Sequence, residues 1–299
     1  MRSRLLATAI AAGITLSPSL AAAQFATNPA SAVVTVPWLT QHLHDRDLVV
    51  LHVGPPDGYT RGGHIPGARY VAYHDLSTPM TAGPLMLEMP PQATLDSAIA
   101  SFGISNQSRI VVVFDSEWVS PATRVLFTLG YAGLADRSSL LDGGLAAWRK
   151  AGNPVTTDVP NVTPGVVSHP VRSDLIVDHD YVAAHAHTGH ATLIDARATS
   201  FYTGPSDGTR SAGHVPGAVN LPYDEMTDSN DFLLAKSAIE AKFEHAGVAA
   251  GDTVVAYCHV GQQATLLLFG AWITGHPVRL YDGSFQDWSL RKLPTEGGR

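Results

Sequence analysis

Short apolar runs alternate with stretches of helical spacing along most of the chain. In the first half, residues 48–53 form an apolar run that predicts a buried strand. Residues 94–102 carry helical spacing and end at Gly103. The β-branched run 110–114 predicts a second strand, and 119–129 a helix stopped by Gly130. A short strand at 140–141 and a helix at 145–150, ending before Gly152, complete this half. The second half reads the same way. Strands are expected at 192–195, 253–257 and 279–281, and helices at 235–245, 264–274 and 285–290. Uninterrupted apolar strands between helices imply an α/β fold, with a mainly parallel sheet covered on both faces. Ligands of such sheets bind beyond the carboxyl ends of the strands.

The two halves are copies of one another. Gly63-His64-Ile65-Pro66-Gly67-Ala68 recurs as Gly213-His214-Val215-Pro216-Gly217-Ala218. Asp142-Gly143-Gly144 with Trp148 recurs as Asp282-Gly283-Ser284 with Trp288. Val111-Val112-Val113-Phe114-Asp115 recurs as Val254-Val255-Ala256-Tyr257-Cys258, an offset of 143 that sets Asp115 opposite Cys258. Repeats this long are tandem domains, not solenoid units. The expected boundaries are 24–152 and 175–299. The linker 153–174 holds Pro154, Pro160, Pro164 and Pro170 and lacks helical periodicity.

Composition narrows the chemistry. The 299 residues are 45% hydrophobic with a formal net charge of −7, which disfavours nucleic acid or an anionic membrane as partner. The single cysteine, Cys258, excludes an internal disulfide, a Cys-rich zinc site and a CxxC redox motif. The 14 histidines show no HxxxH or HExxH spacing, so no metal site is expected. At the N-terminus, Arg2 and Arg4 precede an apolar run, and Ala21-Ala22-Ala23 precedes Gln24. That pattern predicts a cleaved signal peptide, residues 1–23, and an exported, periplasmic protein with no membrane span after cleavage. An unpaired cysteine in that oxidising compartment is a liability unless it has a task.

Cys258 closes a predicted buried strand and opens the stretch His259-Val260-Gly261-Gln262-Gln263-Ala264, which runs into a helix. A strand-loop-helix turn aims backbone N–H groups and the positive helix end at the cysteine sulfur, a setting that favours the thiolate. Gly261 can take the positive φ of a tight cradle. The competing reading is a small buried hydrophobe, the commonest fate of a free cysteine.

With these motifs in order and twice over, the chain resembles the tandem-domain rhodaneses, a sulfurtransferase family. The resemblance spans the mature protein. It implies two tandem rhodanese-like domains, the first inactive with Asp115 at the cysteine position and the second catalytic. It also implies a six-residue active loop, here Cys258 to Gln263, and the supporting motif Leu193-Ile194-Asp195-Ala196-Arg197. The implied reaction is double displacement through a Cys258 persulfide, from a donor such as thiosulfate to cyanide or a small thiol, with no cofactor.

Around Cys258, the candidate substrate-binding residues are Arg197, His259, Gly261, Gln262 and Gln263. Arg197 holds an anionic donor or pairs with Asp195. His259 bonds the donor or is solvated. Gln262 and Gln263 offer amide donors or only line the loop. His64 and His214, shared by both halves, read as architectural.

The loop carries neither the basic residues common in thiosulfate-using members nor the serine of mercaptopyruvate-using ones, for which Val260 stands. The missing serine favours thiosulfate. Mercaptopyruvate sulfur transfer and a non-enzymatic sulfur-anion or persulfide carrier remain the alternatives. A cysteine phosphatase would need arginine six residues after Cys258, where Ala264 stands.

Overall fold

The computed structural model describes residues 25, 29–79, 83–116, 118–185, 191–204 and 213–297. The expected signal segment lies outside them. The first domain contains β1 (Val33–Val34), α1 (Val36–His42), β2 (Leu48–Val53), β3 (Arg69–Tyr70), α2 (Gln92–Ser101), β4 (Arg109–Phe114), α3 (Val119–Tyr131), β5 (Ser138–Leu141) and α4 (Gly144–Lys150). The second contains β6 (Ile176–Val177), α5 (His179–His185), β7 (Ala191–Asp195), α6 (Thr199–Thr203), β8 (Val219–Asn220), α7 (Lys236–His245), β9 (Thr253–Tyr257), α8 (Ala264–Thr274), β10 (Val278–Tyr281) and α9 (Ser284–Leu290). The sheets run β1-β5-β4-β2-β3 and β6-β10-β9-β7-β8, and every adjacent pair is parallel. The central strands β4 and β9 are buried from Ile110 and Val254 onward, which is why they read as unbroken apolar runs.

Helices α3 and α8 pack against each other between the two sheets. Residues 119–130 of α3 and 264–272 of α8 are buried, and one continuous apolar core runs through both domains. A helix enclosed in this way is apolar around its circumference. Thr123 and Thr265 meet at 3.1 Å where the two helices touch. The contacts flanking them are reciprocal. Met89 N–H donates to Asp282 Oδ2 at 2.7 Å, and Leu233 N–H donates to Asp142 Oδ1 at 3.0 Å. The segment 153–172 has no helix or strand and lies along the first domain, with Gly165 N–H on Ala100 O and Arg172 N–H on Tyr131 O.

Two expectations change. Helix α3 continues through Gly130, a glycine because the ring of Phe25 occupies the space a Cβ there would need, and ends before Gly133 at φ +82°. The offset between the repeats at β4 and β9 is 144, not 143. Val112 pairs with Leu140 as Ala256 pairs with Leu280, so Phe114 corresponds to Cys258 and Asp115 to His259. The buried Phe114 ring packs against Gly144, and Ser284 stands at the equivalent place beside Cys258.

The first domain also replaces the Asp195–Arg197 pair. By strand pairing, His52 takes the Asp195 place and Gly54 the Arg197 place. His52 is fully buried, and among the described residues neither ring nitrogen has a partner. Burial pushes its pKa down from 6.5 to about 4, against a smaller opposing pull from Asp115. Below pH 6.5 the unfolded chain therefore takes up a proton that the folded domain refuses. Stability is expected to fall as pH drops from 6.5 to about 4, by about 3 kcal/mol at full effect. Urea titrations of wild type and His52→Phe across that range check this. The variant should show a shallower acid loss.

Candidate active site

The cleft of interest opens beyond the carboxyl end of β9, where Cys258 follows the buried strand directly. It encloses about 580 Å³. Its wall combines Cys258, His259, Val260, Gln262 and Gln263 with Phe285, Gln286, Ser289 and Leu290 of α9. Met86 enters from the first domain. Among the described residues, no lysine, arginine, aspartate or glutamate lines it, and His259 is the only titratable neighbour of the thiol on the wall. Cys258 itself is 1% exposed.

The loop backbone is held from behind. The Cys258 carbonyl accepts from Phe285 N–H at 3.0 Å, and the His259 carbonyl from Gln286 N–H at 3.1 Å. The Gly261 carbonyl accepts from Arg124 Nη1 at 3.1 Å. The Gln262 carbonyl accepts from Thr265 Oγ1 at 2.6 Å and from Thr265 N–H at 3.1 Å. In a trans peptide the C=O and N–H point in opposite directions, and no cis bond occurs among the described residues. Pinning these carbonyls outward therefore turns the N–H groups of His259, Val260, Gln262 and Gln263 the other way. Among the described residues, the N–H groups of Val260, Gly261, Gln262, Gln263 and Ala264 find no protein acceptor. Together with the first turn of α8 they make a nest of unpaired donors next to the only cysteine.

Ser284 sits beneath the cysteine at φ +53°. Its Oγ accepts from Cys258 N–H at 3.3 Å and donates to Tyr281 O at 2.8 Å. Gly261 is at φ +80°, and a Cβ there would lie 2.8 Å from Asp282 O, so no other residue fits without a shift.

The predicted residues separate into two groups. Cys258, His259, Gln262 and Gln263 meet on the cleft wall. The His259 ring stands edge-on to Phe201 at 4.7 Å. Gln262 Nε2 donates across the domain junction to Ser120 Oγ at 3.2 Å, whereas Gln263 Oε1 is buried with no partner among the described residues. Gly261 shapes the loop from behind and does not line the cleft.

Arg197 is also absent from the wall and fully buried. Its Nε donates to Asp195 Oδ1 at 2.9 Å, its Nη2 donates to Gly213 O at 2.6 Å, and its Cζ lies 3.9 Å from the centroid of the Phe285 ring. The guanidinium is thus in a buried ion pair with Asp195, and its Nη1 is buried with no partner among the described residues. The same guanidinium backs the ring of Phe285, which lines the cleft. Tyr257 packs in the same buried layer. Its burial and the nearby Asp195 push its phenol well above the usual range, so it stays neutral and accepts Val215 N–H at 3.0 Å.

His64 and His214 are architectural in the same way. His64 stacks on Tyr59 and bonds its carbonyl, and His214 does so with Tyr202, each ring pair at 3.7 Å.

Residue reading missed Arg124, Ser284 and the first-domain strap that delivers Met86. Met86 N–H donates to Gln286 Oε1 at 2.9 Å, and Gln286 Nε2 donates to Pro84 O at 3.2 Å. Arg124 had a signal, as the only charged residue in the apolar helix α3. Ser284 had one too, as the position where the second repeat departs from Gly144.

Residues 35–151 and 178–291 each match the rhodanese-like domain, and the chain belongs to that family. It is a sulfurtransferase, as similar proteins across nearly its whole length are named. It is 28% identical to the thiosulfate sulfurtransferase of Mus musculus, over 89% of this chain and 94% of that protein. It is equally 28% identical to the 3-mercaptopyruvate sulfurtransferase of Escherichia coli K12, over 87% of this chain and 95% of that one. The sulfur carrier protein TtuD of Thermus thermophilus is also 28% identical, over 89% of this chain and 96% of that protein.

Proposed function

We propose that Cys258 is the nucleophile and sulfur carrier, and that thiosulfate is the donor class it serves best. The observation that carries this is the nest of unpaired loop N–H groups beside the only cysteine. The Cys258 thiolate attacks the outer sulfur of thiosulfate. The new S–S bond forms as the bond to the sulfite sulfur breaks, and sulfite leaves with the electron pair. The persulfide anion then extends into the nest, where the unpaired backbone donors stabilise its terminal sulfur. Cyanide or a small thiolate attacks that terminal sulfur, and the electron pair returns to Cys258. No cofactor enters either step. Val260 offers no hydroxyl where a mercaptopyruvate-selective loop would supply one, which supports thiosulfate over that donor. Among the described residues no basic side chain lines the wall, and the dianion meets the backbone donors there and His259 when protonated.

Initial rates with thiosulfate and cyanide both varied test the double displacement. Parallel lines in double-reciprocal form are expected, with mercaptopyruvate the slower donor. Intersecting lines would contradict a free persulfide intermediate. A carrier without free turnover, the reading that the name of the Thermus relative favours, would give loading but no steady-state rate. We further propose that residues 1–23 are a cleaved signal peptide and that the enzyme works in the periplasm. The Arg2, Arg4 and Ala21-Ala22-Ala23 pattern supports this. N-terminal sequencing of protein from the periplasmic fraction checks it, with Gln24 expected first.

A further inference from the structure

The catalytic cysteine belongs to the second domain, but one of the groups that orient its loop comes from the first. Arg124 projects from α3 and is 1% exposed. Its Nη1 donates to the Gly261 carbonyl at 3.1 Å and to Asp282 Oδ1 at 2.8 Å, and its Nη2 donates to the Leu87 carbonyl. One guanidinium thus ties together the active loop, the Asp282 turn and the strap that carries Met86.

The Gly261–Gln262 peptide is the weak point of the nest. Glycine imposes no side-chain barrier to rotation of the peptide plane that follows it. The carbonyls of Cys258, His259 and Gln262 are held by groups of the second domain itself. The Gly261 carbonyl is held by Arg124. Were it released, rotation of that plane would turn the Gln262 N–H away from the cleft and swing a carbonyl oxygen toward the sulfur. A donor available to an anion in the cleft would become an acceptor that repels it.

We propose that Arg124 is a positioning residue for sulfur transfer. It locks the Gly261–Gln262 peptide with its carbonyl held from behind and its N–H toward the cleft that holds Cys258, so the first domain, though without a cysteine, completes the active loop. The proposal rests on Cys258 being the reactive group. It assigns the first domain a task in catalysis beyond covering apolar surface. The charged and titratable groups around this linkage are Asp282, which pairs with Arg124, Glu88 and Tyr131, which face Asp282, and His259, which shares the cleft wall with the thiol.

The test is the pH dependence of Cys258 alkylation by iodoacetamide, a neutral probe that reads the only cysteine of the full chain. In Arg124→Met the midpoint is expected to rise by about one pH unit, and the thiosulfate:cyanide rate at neutral pH to fall about tenfold. Arg124→Met leaves Asp282 without its cation and threatens folding. Two further variants address that. Arg124→Met/Asp282→Asn removes the charge imbalance and is expected to fold with the raised midpoint. Arg124→Lys keeps the charge, but its single ammonium cannot serve Gly261, Asp282 and Leu87 together, so an intermediate midpoint is expected.

Folded Lys and double variants whose profiles overlay wild type would overturn the proposal, because a purely structural role does not move the thiol. Alkylation needs no sulfur donor. A shifted midpoint in variants of a protein that takes up no sulfur would uphold the Arg124 linkage while sinking the persulfide reading.

Discussion

Cys258→Ser is expected to abolish sulfur transfer while leaving the fold intact. A serine hydroxyl cannot form a persulfide, and no second cysteine can substitute for it. The steady-state rate with thiosulfate and cyanide should fall by at least about a thousandfold. The thermal midpoint should move by only a few degrees, since the exchange is near-isosteric at a site 1% exposed. Retention of more than about a tenth of the activity would mean the sulfur travels by another route.

The second large effect is on stability. Arg197→Met should destabilise the second domain by about 3–5 kcal/mol. Asp195 and Arg197 are both fully buried, and the guanidinium donates to both oxygens of that carboxylate. Removing the cation leaves the carboxylate desolvated, with the Arg197 backbone N–H at 3.0 Å still donating to it. It also strips the Gly213 carbonyl of its donor and takes the planar support from behind Phe285. Urea denaturation measures the loss. Asp195→Asn/Arg197→Met should recover part of it, because no net charge then stays buried. A single variant within about 1 kcal/mol of wild type would show that the pair is dispensable, at odds with its burial.

The elements legible in the sequence were those whose burial imposes a pattern. β2, β4, β7 and β9 are apolar runs because the sheet is covered on both faces, and α7 and α8 appeared within one residue of their observed bounds. The two-residue strands β1, β3, β6 and β8 are too short to show any period. The seven-residue helices α1 and α5 offer only Leu39 and Val182 as fully buried anchors.

At the site, Cys258 and its loop were visible because strand, cysteine, glycine and helix follow one another in sequence. Arg124 lies 134 residues before Cys258, and only the packing of α3 on α8 brings it to Gly261. The one-residue slip that matched Asp115 to Cys258 has a similar origin. Runs of like apolar residues align equally well in neighbouring registers, and hydrogen bonding between β4 and β5 selects the true one. Arg197 was ambiguous because an arginine two residues after an aspartate serves an anion site and a buried pair alike. The structure shows it buried in the pair with Asp195.

The most direct measurement is the intact mass of the purified protein after exposure to thiosulfate, followed by peptide mapping. Wild type should gain about 32 Da, one sulfur, on the peptide containing Cys258, and lose it on addition of cyanide. Cys258→Ser should gain nothing. A wild-type protein that turns over thiosulfate and cyanide with no such adduct at any point in the cycle would contradict the persulfide mechanism.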